Sequence, residues 1–560
     1  MLKIITMKTL LLLICISFFL KVNCFPQTIA VGNYAEEIAR IDQITGQSDN
    51  PFSFTIRPVS VRWENNKIDS ALQGLTFGKK ASPTIKLFGI PSMVQILPLH
   101  WLNEYNLNKP FGYNNGDLYP NAGYQSSISG GIFIKTGILV IQLNPELVYA
   151  ENKPFNTFAE VQANNNSAQL LGAYFNTVNG IDAPERFGNK SLSHLYPGQS
   201  KISVNLKNME LGISTENLWW GPGIQNAIMM SNSAPGFLHW TFNSVRPLKT
   251  KIGSFEWQII GGILKESGFL PLDTGKLVYG KGLNIPKPQL NRYISALTVN
   301  WQPKWIGGLY LGFSEYDYMN MDAIYNAKNI VRRIIPVITG SSNKANSVAA
   351  GGDGQDFAFS LNVRQVLPKY NAEIYFEWAR NDRWANLSDF IQEPEQASAY
   401  TFGGRRLFEI RSNQFIQVKM EVTHLQLPPN YLLRDEGSWY VHSASPRDGY
   451  TNDGRYIGAG IGPGSNSFMF DISYVKGNNS YGITFERLVH NNDLYYSAFS
   501  GTQNFYTHWV DLSNTFYANY RIKKYLVSAD LAPVYSLNYE YKSGSSFNLH
   551  TRINLTYFFN

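Results

Sequence analysis

Three stretches of the chain gather side chains able to hold a polar ligand. Glu216-Asn-Leu-Trp-Trp-Gly-Pro-Gly223 sets a carboxylate, an amide and two indoles close together. Trp219 and Trp220 carry flat apolar faces that suit the C–H surface of a pyranose, and Glu216 and Asn217 suit its hydroxyls. The same residues have a plainer use, with the indoles in a membrane-interface girdle and Gly221-Pro-Gly223 as a turn. The second stretch is Arg380-Asn-Asp-Arg-Trp384 with Tyr400-x-x-Gly-Gly-Arg-Arg406, which contributes Arg380, Asp382, Arg383, Trp384 and Arg405. Its guanidinium groups can grip acidic sugars in bidentate fashion, or they can pair with Glu373 and Glu377 inside a lumen.

The third stretch, Arg447-Asp-Gly-Tyr-Thr-Asn-Asp-Gly-Arg455, alternates glycines with residues that bond hydroxyls and offers Asp453 and Arg455. Asp448 and Asp453 do not follow the spacing of a twelve-residue calcium loop, so no metal or other cofactor is expected. Nearby His442 reads either as a ligand contact or as a hydrogen-bonded lumen residue. The mature chain carries no Gly-x-Ser-x-Gly elbow, no His-Glu-x-x-His and no P-loop, which argues against an enzyme. A glycosidase built on paired carboxylates is the catalytic alternative.

The N-terminus reads as an export signal over residues 1–24: Lys3 and Lys8 precede an apolar run from Leu10 to Leu20 that is too short to span a bilayer. Cleavage is expected after Cys24, with acylation of Cys24 as the alternative. Both cysteines, Cys15 and Cys24, fall in this segment. A large exported protein without disulfides is not a typical eukaryotic secreted product. The formal net charge of +7 shrinks further once Lys3, Lys8 and Lys21 are removed, and so mild a balance gives no case for nucleic acid.

No later stretch approaches the ~18 consecutive apolar residues of a spanning helix. Aromatic residues nevertheless make up 14% of the chain and charged residues only 16%, well under the ~25% charge of a soluble domain. Period-two alternation accounts for this composition, because it gives each strand one apolar and one polar face. Ile553, Leu555, Tyr557 and Phe559 share one side, and Asn548, His550, Arg552, Asn554 and Thr556 the other. Phe468, Phe470, Ile472 and Tyr474 alternate with Asp471 and Ser473, as Ile374, Phe376 and Trp378 do with Glu373, Tyr375 and Glu377. Stripes that end in aromatics suit interfacial girdles better than a soluble sandwich.

The fold class that follows is all-β: a transmembrane antiparallel β-barrel with a short N-terminal helical periplasmic segment, in the bacterial outer membrane. Asn33, Glu36, Ile38, Ile41, Ile44 and Gly46 outline a capped amphipathic helix over 33–45. Residues 25–90 form the periplasmic cap or plug, and residues 91–560 the barrel, whose length divided by about 50 residues per hairpin gives roughly 18 strands. Long outer loops are expected around 153–198, 319–352 and 428–456. The terminal strand, with Phe559 one residue from the end, is similar to the signal read by the barrel-insertion machinery.

Trp-Trp-Gly-Pro-Gly at 219–223 ahead of Ser-Asn-x-Ala-Pro at 231–235 resembles the Wzi-type capsule assembly family in its Bacteroidetes-like version. Further similar segments are 98–106, 143–152 and 440–458, so the resemblance covers most of residues 33–560. It implies a surface lectin that binds capsular polysaccharide or exopolysaccharide, with outer-membrane lipid and the insertion machinery as the other partners. A porin or uptake channel for small solutes or oligosaccharides is the alternative. The barrel reading predicts that the protein fractionates with outer membrane and migrates faster unheated than boiled on a detergent gel; a water-soluble, helical product would refute it.

Overall fold

The computed structural model describes residues 25–47, 51–64, 67–68, 84–87, 89–165, 167–272, 274–287, 290–325, 354–381, 391–428, 437–442, 446–499 and 506–559. The expected signal segment, 1–24, lies outside them. Among the described residues no helix is long and apolar enough to cross a membrane.

Eighteen antiparallel strands form one ring, and a short segment, Thr84–Leu87, pairs in a hairpin with the start of the first. The first four are each interrupted once. β1 runs through Ile90–Ile96 and Leu99–Asn106, β2 through Gly123–Ser129 and Ile132–Thr136, β3 through Leu139–Leu143 and Glu146–Ala150, and β4 through Leu192–Tyr196 and Lys201–Leu206. Pro98, Pro145 and Pro197 stand at three of these breaks, where a residue with no N–H cannot continue the ladder. There follow β5 (Met209–Ser214), β6 (His239–Ser244 with Leu248–Thr250), β7 (Gly253–Leu264), β8 (Arg292–Pro303) and β9 (Leu309–Asn320). Then come β10 (Gln355–Leu367), β11 (Ala372–Asn381), β12 (Ser398–Arg411), β13 (Gln414–His424) and β14 (Asn466–Lys476). The last are β15 (Asn479–Val489), β16 (Val510–Ile522), β17 (Tyr525–Leu537) and β18 (Ser545–Tyr557). β18 pairs with β1 from Tyr557↔Leu99 to His550↔Asn106, which closes the barrel. The count matches the sequence expectation.

Alternation sorts the two faces as anticipated. On β18 Asn548 and His550 are buried inward while Phe547 and Ile553 are exposed outward; on β14 Asp471 and Ser473 are buried while Phe470 and Ile472 are exposed. Each even-numbered strand from β2 to β16 passes to the next through a short turn, such as 207–208, 412–413, 477–478 and 523–524, and the longer connections start and end at the opposite end.

The lumen at the short-turn end is filled by helix α1 (Tyr34–Ile44), capped by the Asn33 side chain, which accepts the Ala35 N–H at 2.9 Å. Glu36, which the sequence pattern pointed back at the cap, instead takes Arg57 at 2.5 Å. Ile38, Ile41 and Ile44 pack with Phe52 and Phe54 against Tyr310, Val366, Leu407, Phe415 and Val475, inner-face residues of the wall. The helix is fastened by charge as well. Glu373 on β11 receives Arg40 of the helix at 2.9 Å, Arg364 of β10 at 2.6 Å and Arg405 of β12 at 2.7 Å, all of them buried. Burial would raise the Glu37 carboxyl, but Arg405 and Lys419 outweigh it and hold that group down at about 2.

Replacing one member of a buried ionic cluster strands the others without partners, at a cost of about 3–5 kcal/mol. Glu373→Ala is therefore expected to release α1 from the wall while the barrel stays heat-modifiable, seen as trypsin cleavage within 25–60 of the folded protein. A fully protected N-terminal segment in that variant would show that the cluster does not hold the helix.

Candidate functional site

Two loops from the long-loop end turn back into the lumen. The loop between β5 and β6 brings Trp219 and Trp220 onto residues 56–57, pairing Trp219↔Arg57 and Trp220↔Ile56. The indoles are 3% and 0% exposed, so they line neither the membrane interface nor an outer face. The Arg57 guanidinium lies 4.3 Å from the Trp219 ring centroid, and the Trp220 indole N–H donates to Gln258 at 2.8 Å. Gly223 is required by crowding, since a Cβ there would sit 1.9 Å from the Asn226 carbonyl oxygen. Beyond this turn, the N–H groups of Ile224, Gln225 and Asn226 converge on buried Glu421 at 2.6, 3.2 and 2.7 Å. A carboxylate of the wall thus occupies the kind of backbone nest that otherwise binds a free anion.

The loop between β13 and β14 completes the filling. The Tyr440 hydroxyl donates to Ile228 O and that of Tyr450 to Met229 O, both at 2.9 Å, while Ser231 N–H meets Ile457 O at 2.7 Å. Tyr450 stacks on Tyr316 of β9 with ring centroids 3.9 Å apart. The filling leaves a polar cavity of about 410 Å³ between α1 and strands β16 to β18, lined among others by Asn33, Asn114, Asn232, Asn519 and Arg552.

The sequence candidates separate on this frame. Glu216 is buried and accepts Ser214 Oγ at 3.1 Å, and Thr28 also donates to it; Asn217 donates to Ala234 O at 2.9 Å. Arg405 pairs with Glu373 at 2.7 Å, the lumen pairing read as one of its two options. Arg380 does not join Glu377; it donates to Glu393 O at 3.3 Å and Gln396 Oε1 at 3.0 Å. Glu377 instead accepts the Ile228 N–H at 3.4 Å. Asp382, Arg383 and Trp384 lie outside the described residues.

Arg455 is buried, donating to Asp117 O and Leu118 O at 2.9 and 2.8 Å and to Asp453 at 2.6 Å. Asp453 stays partly exposed. His442, also partly exposed, donates its backbone N–H to Gly180 O at 2.8 Å. Near the same end, Asp182, Glu266 and Asp448 share a field with Arg292, Lys287 and Arg447. Burial first, then Asp448 and Asp182, raises the Glu266 carboxyl.

Sequence reasoning missed the outermost layer. Helices α2 (Ala168–Val178) and α3 (Asn492–Phe499) pack with Tyr541 and Phe158 over the long-loop end. Beside them Tyr279, Tyr506 and Tyr496 are 93%, 89% and 42% exposed. The local signals for this layer were its caps: Thr157 with Glu160 ahead of Phe158, Ser167 ahead of α2 and Asn491 ahead of α3. Among the described residues no group of three or more His, Cys, Asp or Glu is placed to hold a metal ion.

The model of the family described as capsule assembly protein Wzi matches residues 136–494, a span that takes in both lumen-filling loops. The chain belongs to the Wzi capsule assembly family. The solved structure of Wzi from Escherichia coli, an outer-membrane protein involved in group 1 capsule assembly and a carbohydrate-binding β-barrel, aligns with a TM-score of 0.57 at 11% identity, covering 96% of this chain and 100% of that one. OccAB2 of Acinetobacter baumannii aligns at 0.39 and 12% identity over 83% and 97% of the two chains, and OprD of Pseudomonas aeruginosa at 0.37 and 8% over 82% and 92%. No curated protein matches the sequence. This Wzi family member is an outer-membrane β-barrel.

Because backbone donors anchored on Glu421 hold the β5–β6 loop in place, Glu421→Ala leaves several buried N–H groups unmet, at ~1–3 kcal/mol each. Reconstituted wild-type protein is expected to be nearly closed in a planar bilayer, and Glu421→Ala and Trp220→Ala to raise its conductance. Large, porin-like conductance in the wild type would contradict a filled lumen.

Proposed function

We propose that this barrel retains capsular or other surface polysaccharide on the cell, as a binding protein and not as an enzyme or an open channel. The observation that carries the reading is the family match across residues 136–494. The filled lumen favours binding at the long-loop face over passage of solute. In this reading residues 1–24 direct export, residues 25–90 face the periplasm at the short-turn end, and insertion machinery delivers the strands to outer-membrane lipid.

Of the sequence candidates, His442 and Asp453 are the ones proposed to touch the glycan. Glu216, Asn217, Trp219, Trp220, Arg380, Arg405 and Arg455 act as positioning residues for the loops beneath it. Exposed Tyr279, Tyr496 and Tyr506 supply the stacking faces the buried tryptophans cannot. Arg447, bonded to Ile285 O and Pro286 O, and Lys281 supply positive charge for acidic sugars.

Deleting the protein should leave polymer synthesis intact but move capsule from the cell surface into the medium. Tyr279→Ala and Tyr496→Ala should each weaken polysaccharide binding by on the order of 1 kcal/mol, with the barrel still heat-modifiable. Unchanged capsule retention with collapsed uptake of a small solute would favour the channel.

A further inference from the structure

The membrane face of the ring carries a groove beside a charged hollow. The groove, about 760 Å³, spans β13 to β18, where Gly482, Ala518 and Ala529 leave room between Ile472, Ile483 and Phe516. Its lining is overwhelmingly apolar. The hollow, about 550 Å³, lies at the short turns of the same hairpins and is lined by Lys476, Arg521 and Lys523 with Asn413, Gln414 and Asn479. No carboxylate lines it.

Register joins the two. In the groove Tyr474 pairs with Ile416 and Tyr481; two residues on along the same face of β14, Lys476 pairs with Gln414 and Asn479 in the hollow. That step is about 7 Å. The Tyr474 hydroxyl also donates to Gln414 at 2.6 Å, bridging the two. Arg521 reaches the hollow from the inner face of β16: it is paired with buried Leu526, stands between outward-facing Tyr520 and Ile522, and rests its guanidinium 4.9 Å from the ring centroid of buried Phe558.

We propose that the groove and hollow together bind one anionic phospholipid of the leaflet at the short-turn end. Its acyl chain lies over Gly482 and Ala518, and its phosphate sits between Lys476 and Lys523. The groove's apolar lining suits an acyl chain, and two lysines beside it with no carboxylate between them select a negative headgroup over a zwitterionic one.

Native mass spectrometry of the detergent-purified full-length barrel, titrated with phosphatidylglycerol and with phosphatidylcholine, tests this. The first phosphatidylglycerol is expected to bind at least about tenfold more tightly than phosphatidylcholine. Lys476→Glu with Lys523→Glu should abolish that preference, while Lys304→Glu with Lys369→Glu, on other short turns, should preserve it. Ala518→Trp should fill the groove and lower phosphatidylglycerol binding, and glycerol phosphate without acyl chains should not displace the lipid. Equal binding of the two lipids, equal loss in the Lys304 and Lys369 variant, unaltered binding in Ala518→Trp, or displacement by glycerol phosphate would each overturn the proposal. Heat-modifiable migration verifies that every variant is folded.

Discussion

Glu373 is the point from which the interior is built. One carboxylate on the wall gathers Arg40, Arg364 and Arg405, with Glu37 as a second acceptor for Arg405, and without the wall carboxylate Arg40 and Arg364 would be buried with no counter-charge. The same arginines reach onward with their remaining donors. Arg364 Nη1 bonds Ser53 O at 2.7 Å and Gln43 Oε1 at 2.9 Å, and Arg40 Nη2 bonds Pro222 O at 2.8 Å. A single charge centre therefore ties together the wall, the helix, the segment after it and the first inserted loop.

Above that level the filling continues by backbone and aromatic contacts instead of free charge. Arg57, held by Glu36, takes Gly223 O at 3.0 Å and covers Trp219; Glu421 takes the next three amides; Tyr440 and Tyr450 then lock the second loop onto the first. Each layer supplies the polar partners that the next would otherwise bury unmet. The result is a hydrogen-bonded filling that forms a floor beneath the exposed tyrosines of the long-loop end. Preorganisation of this kind lowers the ordering cost that the protein's own side chains would pay on binding a ligand.

The sequence by itself determined the wall. Alternation over β11, β14 and β18 is a local property of the chain, and in a bilayer it has one solution: apolar side chains to lipid, Glu373, Asp471 and Asn548 inward, and the strands closed on themselves so that no edge is left unpaired. The helix around Ile38, Ile41 and Ile44 was legible for the same reason, since its cap and its period lie within a dozen residues. The Trp-Trp-Gly-Pro-Gly run was equally plain as a motif.

What those tryptophans do was decided only by tertiary structure. Their partners, Arg57 and Gln258, lie in distant segments that no local period connects to them, and so a motif suited to stacking on sugar proved to be buried structure. Likewise, Arg380 and Arg405 look alike in sequence, yet Arg405 meets Glu373 directly across its strand pair while Arg380 stands near the long-loop end and turns to the 393–396 segment. The exposed tyrosines were invisible for the converse reason. A residue's accessibility at the end of a barrel depends on which loops fold in and which fold over, and that balance is set by long-range burial and charge pairing, not by the residues beside it.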